Sequence, residues 1–155
     1  MGFGVAFLTK QSHQLRFALF LLVLLITLSS CGLKRSNPLD PIGNPNVVVP
    51  DAVQNPTATA SSAHAPIKSV TLRWTPNDPA NTSGYYIYRG LGYFSSYTLV
   101  GTVNDAANNS FIHSGPTVIA GNHFYFYKIS AFKFYPGAGN LEGARAEIPP
   151  VNIPD

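Results

Sequence analysis

Two hydrophobic rhythms divide the chain. Phe17–Leu28 reads FALFLLVLLITL, an unbroken apolar run in which only Thr27 is polar. From about residue 56 apolar residues instead recur at every second position, with Gly, Pro, Asn and Asp between the runs, the period of half-buried strands. Ser69–Trp74 (SVTLRW) puts Val70, Leu72 and Trp74 on one face. Gly84–Arg89 (GYYIYR) follows a turn-rich loop, and Tyr97–Val103 and Ser110–His113 are shorter runs separated by NDAANN. Phe124–Phe134 (FYFYKISAFKF) is the longest strand and Glu142–Ile148 (EGARAEI) the last. With the run that opens near residue 56, seven short strands predict an all-β, antiparallel sandwich. No stretch sustains the 3.6-residue period, so helix is expected to be nearly absent beyond the leader. The expected core is Val70, Leu72, Trp74, Tyr85, Ile87, Leu99, Phe111, Tyr125, Tyr127, Ile129 and Ala131.

The apolar run is too short to span a bilayer. As a helix it would rise about 18 Å, against a hydrocarbon core of ~30 Å. It suits the hydrophobic region of a signal peptide, with Lys10 and Arg16 as the positive residues before it. Next comes Leu28-Ser29-Ser30-Cys31-Gly32, holding the one cysteine of the chain, so a disulfide framework is excluded. This segment resembles the lipobox of bacterial lipoproteins. The resemblance implies cleavage before Cys31, a diacylglycerol on its thiol, and attachment to the membrane outside the cytoplasm. Two or more acyl chains anchor stably where one does not. With Gly32 rather than Asp after the cysteine, the resemblance implies the outer membrane if the host is Gram-negative. The expected organisation is a signal peptide over 1–30, a tether over 31–55, a domain over 56–149 and a tail over 150–155. Pro38, Pro41, Pro45 and Pro50 block helix in the tether and favour extended backbone. Val47-Val48-Val49 is its one apolar cluster and a candidate to dock on the domain edge.

The segment from about Pro56 to Pro149 resembles a fibronectin type III domain, a seven-stranded immunoglobulin-like sandwich. Val70-x-Leu72-x-Trp74 is like its second strand with the core tryptophan. Gly84-Tyr85-x-Ile87-Tyr88-Arg89 is like the third strand, and Gly121 with Tyr125-x-Tyr127-x-Ile129-x-Ala131 like the sixth. By that likeness Tyr125 is the corner tyrosine, its hydroxyl bonded back near Ala120–Gly121. Trp74, Tyr125 and Tyr127 are then the structural core. The sixth-to-seventh loop reads Tyr135-Pro136-Gly137-Ala138-Gly139-Asn140 and lacks the Arg-Gly-Asp motif of some relatives, so integrin binding does not carry over.

Charge narrows the partners. The formal net charge is +3, but beyond residue 30 eight Lys and Arg face seven Asp and Glu with no basic run. A nucleic-acid partner is disfavoured. Catalytic and metal chemistry is sought and not found. His64 lies in a Ser/Ala-rich loop, and His113 and His123 stand ten residues apart without carboxylates at ligand spacing; solvated or edge positions are expected for them. His113 and Ser114 are adjacent, so on a strand they point to opposite faces. Asp105, Asn108 and Asn109 suit an Asx turn better than a calcium site. Gly137–Gly143 is spaced wrongly for a phosphate loop and reads as a turn. No metal, cofactor or catalytic site is expected.

One surface stands out. If Tyr85, Ile87, Tyr125 and Tyr127 face inward, alternation turns Tyr86, Tyr88, Phe124, Phe126 and Lys128 outward on neighbouring strands. Tyr93, Phe94 and Tyr97 lie in the next loop and extend this face. Contiguous exposed apolar surface marks interaction sites; the competing expectation is that the tether folds back over these rings, or that they pair across strands and simply stabilise the sheet. The expectation is a lipid-anchored envelope protein whose domain is a non-catalytic protein-interaction or structural module. Surface-glycan binding through the same aromatics is the alternative.

Overall fold

A strand alternating buried and exposed positions needs a second layer to cover its buried face. The computed structural model, which describes residues 37–121 and 124–155, supplies that layer as a second sheet. Eight strands run β1 (Gln54–Ala60), β2 (Ser69–Thr75), β3 (Gly84–Gly90), β4 (Thr98–Val103), β5 (Ser110–Ser114), β6 (Phe124–Tyr135), β7 (Gly139–Glu142) and β8 (Ala146–Asn152). The smaller sheet has the order β1-β2-β5, and the larger β4-β3-β6-β7 with β8 also on β6; every pairing is antiparallel. Among the described residues there is no helix. The signal segment 1–30 and Cys31 lie outside the described residues, as do Asn122 and His123.

The inward residues interlock between the sheets. Val70 and Leu72 of β2 and Tyr85, Ile87, Ile129 and Ala131 of the larger sheet are fully buried. Trp74 lies 5.0 Å from Tyr85, centroid to centroid, with the rings tilted by 57°. The Tyr85 hydroxyl accepts from the Asn77 N–H and donates to the Ala106 carbonyl, both at 2.8 Å. That one phenol ties two loops to the core.

Four expectations need correction. Leu99 is exposed, not part of the core. Opposite β3 the register passes from Ile87↔Gly101 to Tyr88↔Leu99, so β4 carries one extra residue. Such a bulge reverses the alternation, turning Val100 towards the core and Leu99 outward. The last expected strand, Glu142–Ile148, is two strands: β7 returns along the far half of β6 through a turn with Gly137 and Gly139 at positive φ, and β8 covers the near half. Eight strands thus stand where seven were expected. The domain also extends beyond both expected boundaries. Val47, Pro50 and Val53 are buried ahead of β1, and β8 continues to Asn152, with Ile153 fully buried after it. Val53 and Ile153 join the core and Val47 is buried, so the segments flanking residues 56–149 pack on the domain, as the Val47–Val49 cluster was a candidate to do.

The chain enters beside the end of β6. The Tyr135 hydroxyl bonds both the N–H (2.7 Å) and the carbonyl (3.0 Å) of Val48. Asn77 Nδ2 donates to the Asp51 carbonyl at 2.8 Å. Gly143 lies directly under the Pro50 carbonyl, where no Cβ would fit.

Candidate interaction site

Antiparallel register sets Tyr88 opposite Lys128 and Gly90 opposite Phe126, so the predicted residues do share the outer face of the larger sheet. They do not form one exposed patch. Tyr88 is buried, at 8% exposure, which corrects its place on an exposed face. Its hydroxyl donates to Glu142 Oε2 at 2.9 Å, and the Arg145 guanidinium sits 3.7 Å over its ring. Glu142 also accepts from Ser130 Oγ (2.7 Å) and Arg145 Nε (2.8 Å). Burial alone would raise the Glu142 carboxyl, but these three donors outweigh it and hold the group below its ordinary value. Tyr86 stacks on Phe132 at 4.5 Å and accepts from Asn140 Nδ2. Lys128 bonds Glu147 at 2.9 Å and lies 4.5 Å over the Tyr97 ring. The groups that cover Tyr88 come from β7 and the Gly143–Arg145 link, the segment the sequence presented as a loop and a single strand, whereas Lys128 is paired from β8.

What stays open is the far end of the same face. Phe124 is 55% exposed, and Phe126 meets the edge of Tyr93 at 6.4 Å. With Leu91, Gly92, Ile119, Tyr125 and Pro150 they line a groove of about 610 Å³. Leu91 is 71% exposed and Phe94, packed edge-on to Tyr93, 96%. Leu91, Ile119 and Pro150 were not foreseen, because they come from two loops and a supposed tail. Their signal was weak: apolar residues flanked by turn formers. The one polar side chain in the lining is Tyr125, whose hydroxyl is already engaged.

The loop that carries Ile119 is held from the core. Tyr125 Oη accepts from the Ile119 N–H at 3.1 Å, six residues upstream, so the corner tyrosine bonds slightly earlier than Ala120–Gly121. Arg89 Nη1 donates to the Thr117 carbonyl at 2.7 Å, and its guanidinium lies 5.5 Å over the Tyr125 ring. His113 is not solvated, which corrects that expectation. It is buried, with Nδ1 2.8 Å from the Tyr127 hydroxyl. Burial, then the charge of Arg89, lower the His113 pKa, and burial raises that of the Tyr127 phenol. Ser114 is exposed on the opposite side of β5 from His113, and His64 is exposed in its loop. Asp105 and Asn108 accept the Ala107 and Ser110 N–H groups at 2.9 and 2.8 Å, as Asx turns do. Among the described residues, no three His, Cys, Asp or Glu side chains are grouped to hold a metal ion.

No family model matches this sequence, and no curated protein sequence matches it. Solved structures do. The twitchin kinase region from C. elegans aligns over 69% of this chain and 17% of its own, with 17% identity and a TM-score of 0.51. An Fn3-like protein from Clostridium thermocellum aligns over 66% of this chain and 91% of its own, at 20% identity and TM-score 0.41. The chicken CNTN1 FN1-FN3 domains align over 65% and 34%, at 16% identity and TM-score 0.44. The chain thus spans only about a sixth of the twitchin chain it matches. Two packed antiparallel sheets, a corner tyrosine on β6 and the twitchin likeness together establish the fold as that of a fibronectin type III domain.

Proposed function

We propose that this protein is a lipid-anchored interaction module of the bacterial cell envelope, non-catalytic, held outside the cytoplasm by acylated Cys31. Its partner is another envelope protein. The observation that carries this reading is the apolar groove between Leu91, Ile119, Phe124 and Pro150. Val48 and Pro50 enter beside Tyr135 and Gly143, whereas the groove opens beside Phe124 at the other end of β6. Twelve strand residues at ~3.3 Å each separate the two ends by about 35 Å. Surface glycan is the weaker alternative. Tyr86 and Tyr88, the rings expected to stack on sugar, are occupied by Phe132 and Arg145, and the groove offers no free polar side chain.

The test uses the full chain in its native envelope. Leu91→Ser with Phe124→Ser should leave the circular dichroism spectrum unchanged and reduce capture of the cross-linked partner at least about tenfold, as loss of a central apolar anchor does. Retained capture by a folded variant would remove the groove as the site. Intact mass tests the anchor: a chain lacking acylation at Cys31 would remove the lipoprotein reading.

A further inference from the structure

We propose that the groove is pH-gated: protonation of the buried His113 ring releases the 115–121 loop that forms its Ile119 wall. This rests on the groove being the binding site. The geometry forms a chain of contacts. His113 projects from β5 between the sheets, opposite Val70 in the β2 register. From β6 it meets the Tyr127 hydroxyl, with Tyr125 two residues away; Arg89 of β3 stands directly opposite Tyr127 in the antiparallel register, so the imidazole and the guanidinium flank one phenol. Further out at this end, Lys68 donates to the Ala63 and Pro154 carbonyls and Asp155 stands beside Gly121. Among the described residues no carboxylate bonds the His113 ring. A proton on it therefore places a second, uncompensated cation near Arg89 in a water-poor layer.

Arg89 is the member able to yield. It is half-buried, its Nε is buried without a partner, and solvent offers its guanidinium a way out. If Arg89 swings out, the loop loses the bond to Thr117 O and Tyr125 loses the cation above its ring. Both supports stand directly behind groove-lining residues, Ile119 and Tyr125. Histidine is the side chain that makes such a change within the mildly acidic range.

Hydrogen exchange read by mass spectrometry, on the full chain in lipid nanodiscs, tests this without needing the partner. After correction for the intrinsic rate, residues 115–121 should exchange several-fold faster at about pH 5 than at about pH 7.5, while Leu72, Ile87 and Ile129 keep their protection. In His113→Gln the loop should no longer respond to pH. In Arg89→Gln it should exchange quickly at both values. An unchanged loop at about pH 5, an equal response in His113→Gln, or loss of protection across β2, β3 and β6 together would each overturn the gate. Should His113→Gln not fold, the wild-type pattern of loop against core decides by itself. A gate that fails here leaves partner capture at neutral pH untouched, so the two readings fail separately.

Discussion

Trp74 and His113 show how differently a buried polar atom behaves according to what faces it. The Trp74 indole N–H is buried without a partner, yet the ring fills the space against Tyr85. Trp74→Ala should cost about 3–5 kcal/mol. Trp74→Phe should cost well under that, because it keeps an aromatic ring and removes the unpaired donor; thermal unfolding of the two variants gives the comparison. His113 has a partner in Tyr127 but no counter-charge. Its folded pKa lies below the ordinary 6.5, so the native state binds fewer protons than the unfolded chain below that pH. The stability it contributes is complete above about pH 6.5 and is lost as pH falls from there through the folded pKa. Denaturant melts between about pH 7.5 and 5 should show this slope, and His113→Gln should flatten it. The inward register of Trp74, Tyr125 and Tyr127 was legible from alternation once the resemblance to a fibronectin type III domain chose the face. The burial of His113 was not, since period two puts it inward only once β5 is known to face Tyr127 across the sandwich.

Among the elements, the two that departed from expectation did so through backbone irregularities that period two does not encode. The β4 bulge turns Leu99 outward and leaves Gly101 beneath the Phe111 ring, where a Cβ would collide with it. Gly101→Ala should therefore destabilise by about 1–3 kcal/mol through overpacking, measured as a shift of the denaturation midpoint at unchanged slope. On β8, Pro149 and Pro150 stand at the register break opposite Phe126; residues without an N–H blunt the open edge against pairing with another chain. The break at Gly143 permits the close approach of Pro50. Gly143→Ala should free the segment ahead of β1 while the sandwich stays folded, and limited proteolysis should then cut between Asn44 and Ala52 faster than in the parent chain.

At the scale of the whole molecule, one sheet face is divided between self-satisfied polar clusters and an open apolar end. Neither clusters nor groove can be read from one strand, because each draws on segments far apart in sequence: Tyr88 with Glu142 and Arg145, Phe124 with Leu91, Ile119 and Pro150. Replacing Tyr86 by Phe should accordingly leave partner capture unchanged, since its hydroxyl serves Asn140 rather than a partner; loss of capture in an envelope pull-down would move the site back to the centre of the sheet. The sequence by itself determined the all-β sandwich and the alternating faces of β2, β3 and β6, because period two and turn chemistry are local properties that each strand carries alone; the corner tyrosine was read from the resemblance to fibronectin type III domains. It also carries the apolar leader and Cys31, from which the anchor is proposed. Only the tertiary structure decided which outward aromatics stay exposed, where the domain ends, and that His113 bonds Tyr127, the register partner of Arg89. Those outcomes depend on which segment covers which face, and coverage is settled by the return of distant chain, the β6–β7 hairpin and the two prolines of β8, not by any property of the strand being covered.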